Sequence, residues 1–195
     1  MDNIHMSSCA EFFTTHLSCS EKCKRLQKMT NELLIDWESQ KAMPISPCVV
    51  KNEETLVRQL FNPIHIDIAT KTLKPTALDD VANKGLSVNR LQYTTEENIT
   101  LAANTKAAQD NAKIDSPEKK RGLAGLSFIK CCDIRTITHV TNDCSYRAFA
   151  VYDTSLQNDI SHADVCQIFG GGKQVERSLR SKLFEKAKNS VKLFV

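Results

Sequence analysis

Three runs rich in β-branched and aromatic residues, 123–132, 134–140 and 146–152, follow one another with only brief polar breaks. Such runs predict strands, and breaks that short predict antiparallel neighbours in one sheet. Thr141-Asn142-Asp143 supplies a turn between the last two. Upstream, Ile64-His65-Ile66-Asp67-Ile68 alternates as a half-buried strand does, and 85–91 reads as another. The run 54–60 fits a strand or a short helix, because periodicity does not separate the two over so few residues. Downstream, the polar stretch 153–160 leads into 161–169.

Helical signals flank these runs. Ser18-Cys19-Ser20-Glu21 has the form of a capping box, and Cys23, Leu26, Thr30, Leu33 and Trp37 then recur at spacings of three and four. This predicts one amphipathic helix over 18–42, stopped by Met43-Pro44-Ile45-Ser46-Pro47. Thr94-Thr95-Glu96-Glu97 opens a second helix, with Ile99, Ala102, Ala103 and Ala107 as its apolar face. After Gly170-Gly171-Gly172 comes a terminal helix over 173–195 that turns Val175, Leu179, Leu183 and Ala187 inward. The order predicts an α+β fold: a helical arm over 1–50, packed on or extending from a mixed, mainly antiparallel sheet in a body over 51–195, with a basic C-terminal helix.

Of the 195 residues, 41% are hydrophobic and 25% charged, which excludes collagen, low-complexity disorder and a coiled-coil rod. No apolar run approaches the ~18 residues that a membrane helix needs. Met1-Asp2-Asn3-Ile4-His5 has neither a basic nor an apolar leader region, so the expectation is a cytoplasmic protein whose eight cysteines are reduced thiols. The segment 173–195 holds seven basic and two acidic residues, whereas the rest of the chain holds 19 basic and 21 acidic ones. The positive excess is therefore local, and Lys173, Arg177, Arg180, Lys182, Lys188 and Lys192 are candidates for holding an anion or nucleic acid. The solvated face of a terminal helix is the plainer account of the same residues.

Few motifs carry chemistry. Lys173 is followed by Gln174, which excludes a P-loop and leaves the glycine triplet as a flexible hinge before the last helix or as a weak anion site. His162 and Asp164 share a face if their segment is a strand. Cys166, four residues after His162, joins it only on a helix. His16, Cys19 and Cys23, with Cys9 upstream, lack the second ligand pair of a structural zinc site, and Cys131, Cys132, His139 and Cys144 form no such pattern; no metal and no cofactor are expected. Arg58, Arg90, Arg135 and Arg147 fall at strand-like places, where each needs a carboxylate, solvent or a shared anionic ligand. No aromatic strand offers a stacking platform for bases.

The tokens Leu56-Val57-Arg58, Leu73-Lys74-Pro75-Thr76-Ala77, Gly85-Leu86-Ser87-Val88 and His162-Ala163-Asp164-Val165 resemble those of a loose group of uncharacterised small bacterial proteins over about 54–187. The resemblance implies a compact bacterial α+β domain in the company of defence or mobile-element genes, and it brings no established activity. The leading expectation is a non-enzymatic accessory or binding protein that contacts a protein partner or nucleic acid through the basic C-terminal helix, in bacterial antiviral defence. The alternative is an enzyme acting on a phosphate-bearing or nucleotide substrate, with Arg58, Ser87, His162 and Asp164 in one cleft. A third expectation is a homo-oligomer assembled through 18–42. None of these involves a membrane.

Overall fold

The computed structural model describes residues 8–142 and 144–194. Its centre is a six-stranded sheet in the order β10-β5-β1-β4-β9-β8, formed by β1 (Thr55–Asn62), β4 (Leu86–Arg90), β5 (Gly122–Lys130), β8 (Phe149–Tyr152), β9 (His162–Gln167) and β10 (Val191–Leu193). Every neighbouring pair is antiparallel, and the chain is α+β. Two hairpins stand apart from this sheet: β2 (Ile66–Asp67) with β3 (Thr72–Leu73), and β6 (Thr138–Thr141) with β7 (Cys144–Arg147).

Alternation of side chains divides the sheet into two unlike faces. On the first, Leu56, Leu86, Val88, Ala163 and Val165 pack with α6 (Gly172–Ala187), α5 (Cys131–Arg135) and a 3₁₀ helix, Pro75–Ala82, into the largest core. Leu179, Leu183 and Ala187 of α6 are buried there and Val175 packs at its edge, as the helical spacing predicts. The second face is covered in two strips. Val57, Phe61 and Leu126 lie under α4 (Glu96–Asn111), through Ile99, Ala103 and Ala107. Ala150, Tyr152 and Cys166 lie under α1 (Cys9–His16), α2 (Lys22–Leu26) and α3 (Asn31–Trp37), with Ile168 just beyond β9 in the same cluster. Between the strips, β4 and β9 present Ser87 opposite Asp164 and Asn89 opposite His162. The middle of this face is therefore polar.

Several elements differ from their sequence expectation. The single helix over 18–42 is two short ones, because Thr30 accepts from the Leu33 amide and starts a new N-terminus. That break re-phases the apolar stripe: Leu34 and Trp37 are buried, while Leu33 is 39% exposed. The Ser18 capping box does not form; Ser8 caps α1 instead, and Glu21 precedes α2 without a side-chain cap. Cys131–Arg135 is helical where a strand is expected, and the alternating stretch at 64–68 pairs only at Ile66 and Asp67. The terminal helix stops at Ala187, so Lys188 lies in a 3₁₀ turn and Lys192 on the edge strand β10. There the chain runs so close to β5 that a side chain at Gly125 would meet the Lys192 carbonyl at 2.5 Å. At the opposite edge all four residues of β8 are buried, and the Val151 amide donates to Glu38 at 2.5 Å.

The end of β4 is held by a buried cation. Arg90 is fully buried; its Nε and Nη2 each donate to Glu54 at 2.7 Å, and Nη1 donates to Asp153. It also donates to the carbonyls of Cys48 and Val49, at 2.8 and 3.2 Å. Removing one partner of such a set strands the others in low dielectric. Arg90→Met should cost about 3–5 kcal/mol of stability, read as a lower urea midpoint, whereas Arg180→Met on the partly exposed Asp79 pair should cost less than about 1 kcal/mol.

A cationic cleft as the candidate functional site

The polar middle of the second face opens into a cleft of about 480 Å³. Its floor is Gln59 of β1, Ser87 and Asn89 of β4, and His162 of β9. One wall is α4, through Ala102 and Lys106; the loop after β8 gives Leu156 and Asp159. Phe61, His65 and Arg121 close one end, and Asp80 and Lys84 another. Strands β1 and β4 are in register at Leu56↔Arg90 and Val57↔Asn89, and just past that point the guanidinium of Arg58 reaches the Ser87 carbonyl, at 3.0 Å from Nη1. Its Nε donates to the Ala77 carbonyl at 3.3 Å.

Positive charge outweighs negative in this cleft. Arg58, Lys84, Lys106 and Arg121 face two carboxylates, Asp80 and Asp159. Asp80 is shared by Lys84 at 3.3 Å and Arg58 at 3.9 Å, and Arg121 reaches outward to Asp110 while lying over the Phe61 ring. Burial pulls the Arg58 pKa below its ordinary value; Asp80 opposes this and Arg121 adds to it. Burial, reinforced by Arg58, pushes the His65 imidazole down to about 4. Its Nδ1 accepts from the Phe61 amide at 3.1 Å, which a neutral ring can do.

His162 is oriented from behind. Its Nδ1 lies 3.0 Å from the carbonyl and 2.9 Å from the hydroxyl of Thr154. A carbonyl only accepts, so Nδ1 carries the proton. The Thr154 hydroxyl donates onward to Asp164 at 3.2 Å, and Asp164 takes Lys22 Nζ at 2.5 Å. Burial disfavours the Lys22 ammonium, but Asp164 outweighs it and the pKa rises. Gly85, at φ +86°, lets the chain pass this carboxylate; a Cβ there would stand 3.3 Å from it. Asn89 is fixed as firmly, donating to Asp159 and Ser161 at 2.9 Å each and accepting from Gln59 at 3.2 Å.

The fold thus brings Arg58, Ser87 and His162 into one cleft, with Asp164 buried behind His162 rather than lining it. Of the four arginines expected at strand-like places, Arg135 is on α5; Arg90 sits on Glu54 and Asp153, and Arg135 and Arg147 share Glu38. Arg58 alone of the four lines the cleft. The terminal basic residues are turned to the protein itself: Arg180 pairs with Asp79 at 2.5 Å, Lys188 with Glu185 at 2.6 Å and Lys192 with Glu96 at 2.6 Å. Lys182 donates to the Thr138 carbonyl at 2.8 Å, and Lys173 and Arg177 stand on the first turns of α6. Cys166 lies on a strand, not the helix that would set it beside His162, and burial pushes its thiol well up. All eight cysteines are free, and among the described residues no three His, Cys, Asp or Glu side chains are placed to hold a metal ion. Among the described residues no helix is long and apolar enough to cross a membrane.

No family model, curated protein or solved structure matches this chain.

Sequence reasoning missed Lys106, Arg121, Thr154 and Lys22. Lys106 had a signal, since it follows Ala102 by one helical turn. The other three reach the site only through tertiary packing.

The His65 environment yields a pH prediction. The unfolded chain takes up a proton near the ordinary 6.5, and the folded protein does so only near 4. The histidine's contribution to stability is thus whole above 6.5 and is lost as pH falls toward 4. Between these pH values the melting temperature of His65→Gln should fall less steeply than that of the native protein.

Proposed function

We propose that the protein binds a small phosphate-bearing molecule in this cleft. The observation that carries the reading is Arg58. Its side chain is only 13% exposed, and its carboxylate neighbour Asp80 is 3.9 Å away and shared with Lys84. Arg90, by comparison, has two contacts to Glu54 at 2.7 Å. A half-buried cation with a distant counterion gains from a charge-assisted, bidentate anion, for which phosphate oxygens are well spaced. Lys106, Arg121 and Lys84 extend the positive field around it. Gln59 and Asp159 supply a donor and acceptors suited to the rest of a polar ligand.

The reading through the basic C-terminal helix has weaker support, because three of its six candidate residues already meet carboxylates of the same chain. Assembly through 18–42 is weaker in the same way, since Leu26, Leu34 and Trp37 are spent on the sheet.

Titration calorimetry with pyrophosphate and with adenosine diphosphate tests the proposal. Arg58→Gln should weaken binding by about 10- to 100-fold, as expected for a lost charge-assisted pair. Lys173→Gln together with Arg177→Gln should leave the affinity within about twofold, because both lie outside the cleft. Absence of binding to both probes, or an Arg58 variant that binds as the native protein does, would remove the reading.

A further inference from the structure

We propose that the cleft is also catalytic, with His162 Nε2 as the general base for hydrolysis of a phosphate ester. This rests on the binding reading above and adds a reaction to it.

Three observations converge on His162. His162 lines the cleft, and its hydrogen bonds to Thr154 both use Nδ1, so Nε2 is the ring nitrogen that carries the lone pair. Both Thr154 oxygens fix the tautomer, and the Thr154 hydroxyl ties the ring to Asp164. The Asp164 side chain is 3% exposed and is paired with Lys22, itself 2% exposed, at 2.5 Å. A base so placed keeps its orientation while it gains a proton, and the carboxylate behind Thr154 stabilises the imidazolium. A histidine needed only for packing would not require its Nδ1 hydrogen bonds to run through Thr154 to a buried ion pair whose cation comes from α2.

The step balances with water as the second reactant. Nε2 takes a proton from a water whose oxygen bonds to phosphorus. The ester P–O bond breaks, and the leaving oxygen takes the proton back from Nε2. The products are an alcohol and the corresponding phosphate. Arg58 and Arg121 stabilise the charge that builds on the phosphoryl oxygens. Thr154 and Asp164 touch no reacting atom and are positioning residues.

The test uses the full chain with p-nitrophenyl phosphate, bis-p-nitrophenyl phosphate and a dinucleotide, beside pyrophosphate calorimetry. Turnover of a monoester or a diester is expected, and which one it is identifies the ester. His162→Gln should lower kcat by about 10²–10⁴-fold, the usual share of a general base, with pyrophosphate affinity within about threefold. Thr154→Val should lower kcat by about tenfold at unchanged KM, and Thr154→Ser should restore most of it, a split that a packing role would not give. Pyrophosphate binding without turnover of any ester would overturn the catalytic proposal and leave the binding reading standing. So would a folded His162→Gln or Thr154→Val variant with native kcat. Loss of both binding and turnover would remove the two together.

Discussion

The buried guanidinium of Arg90 is the constraint from which the geometry of the cleft follows. It joins the segment before β1, through Glu54 and the Cys48 and Val49 carbonyls, to Asp153 at the end of β8. Asp153 in turn takes the amide and hydroxyl of Ser155, and that hydroxyl donates to the Ile160 carbonyl. The loop between β8 and β9 is thereby held at both ends. Thr154 is set behind His162, and Asp159 beside Asn89, as consequences of that restraint. Burying such a cation is costly unless its donors are met, and here carboxylates and carbonyls meet them, so the network specifies one arrangement of three separate chain segments.

A second buried pair, Lys22 with Asp164, has a related role behind His162. The N-terminal helices gain most of their stability from apolar packing on Ala150, Tyr152, Cys166 and Ile168. The ion pair adds position rather than much net energy. It sets α2 against β9 at the level of Asp164, so the residues that cover the sheet also finish the support of His162.

Much of the fold was legible because the sheet and its helices carry regular periods. The strands at 85–91 and 123–132, the helix capped by Thr95 and the buried stripe of α6 all follow from alternation, capping or a spacing of three and four. What escaped depends on contacts that local patterns do not encode. Thr30 acts as a cap inside an otherwise continuous stripe, and 188–193 leaves the helix because β5 offers it an edge to pair with. The cleft was legible in part. His162 and Asp164 alternate on one strand, but Ser87 and Asn89 join them through cross-strand register, and Arg58 enters beside the short in-register stretch of β1 and β4. Charge counting along the chain pointed to the C-terminus, where the cations are numerous but several are already neutralised. The cations of the cleft are fewer and come from distant positions, so no window of sequence gathers them.

The two borders of the sheet have a consequence for how this chain meets copies of itself. An open sheet ordinarily offers rows of bare amides and carbonyls at its rims, and such rows recruit further strands. Here one rim is a strand of three residues that ends beside the lysine pair of Glu96, and the other is sunk beneath α3 with an amide taken by Glu38. Neither leaves a long flat ladder on offer, and the architecture discourages the stacking by which sheets polymerise.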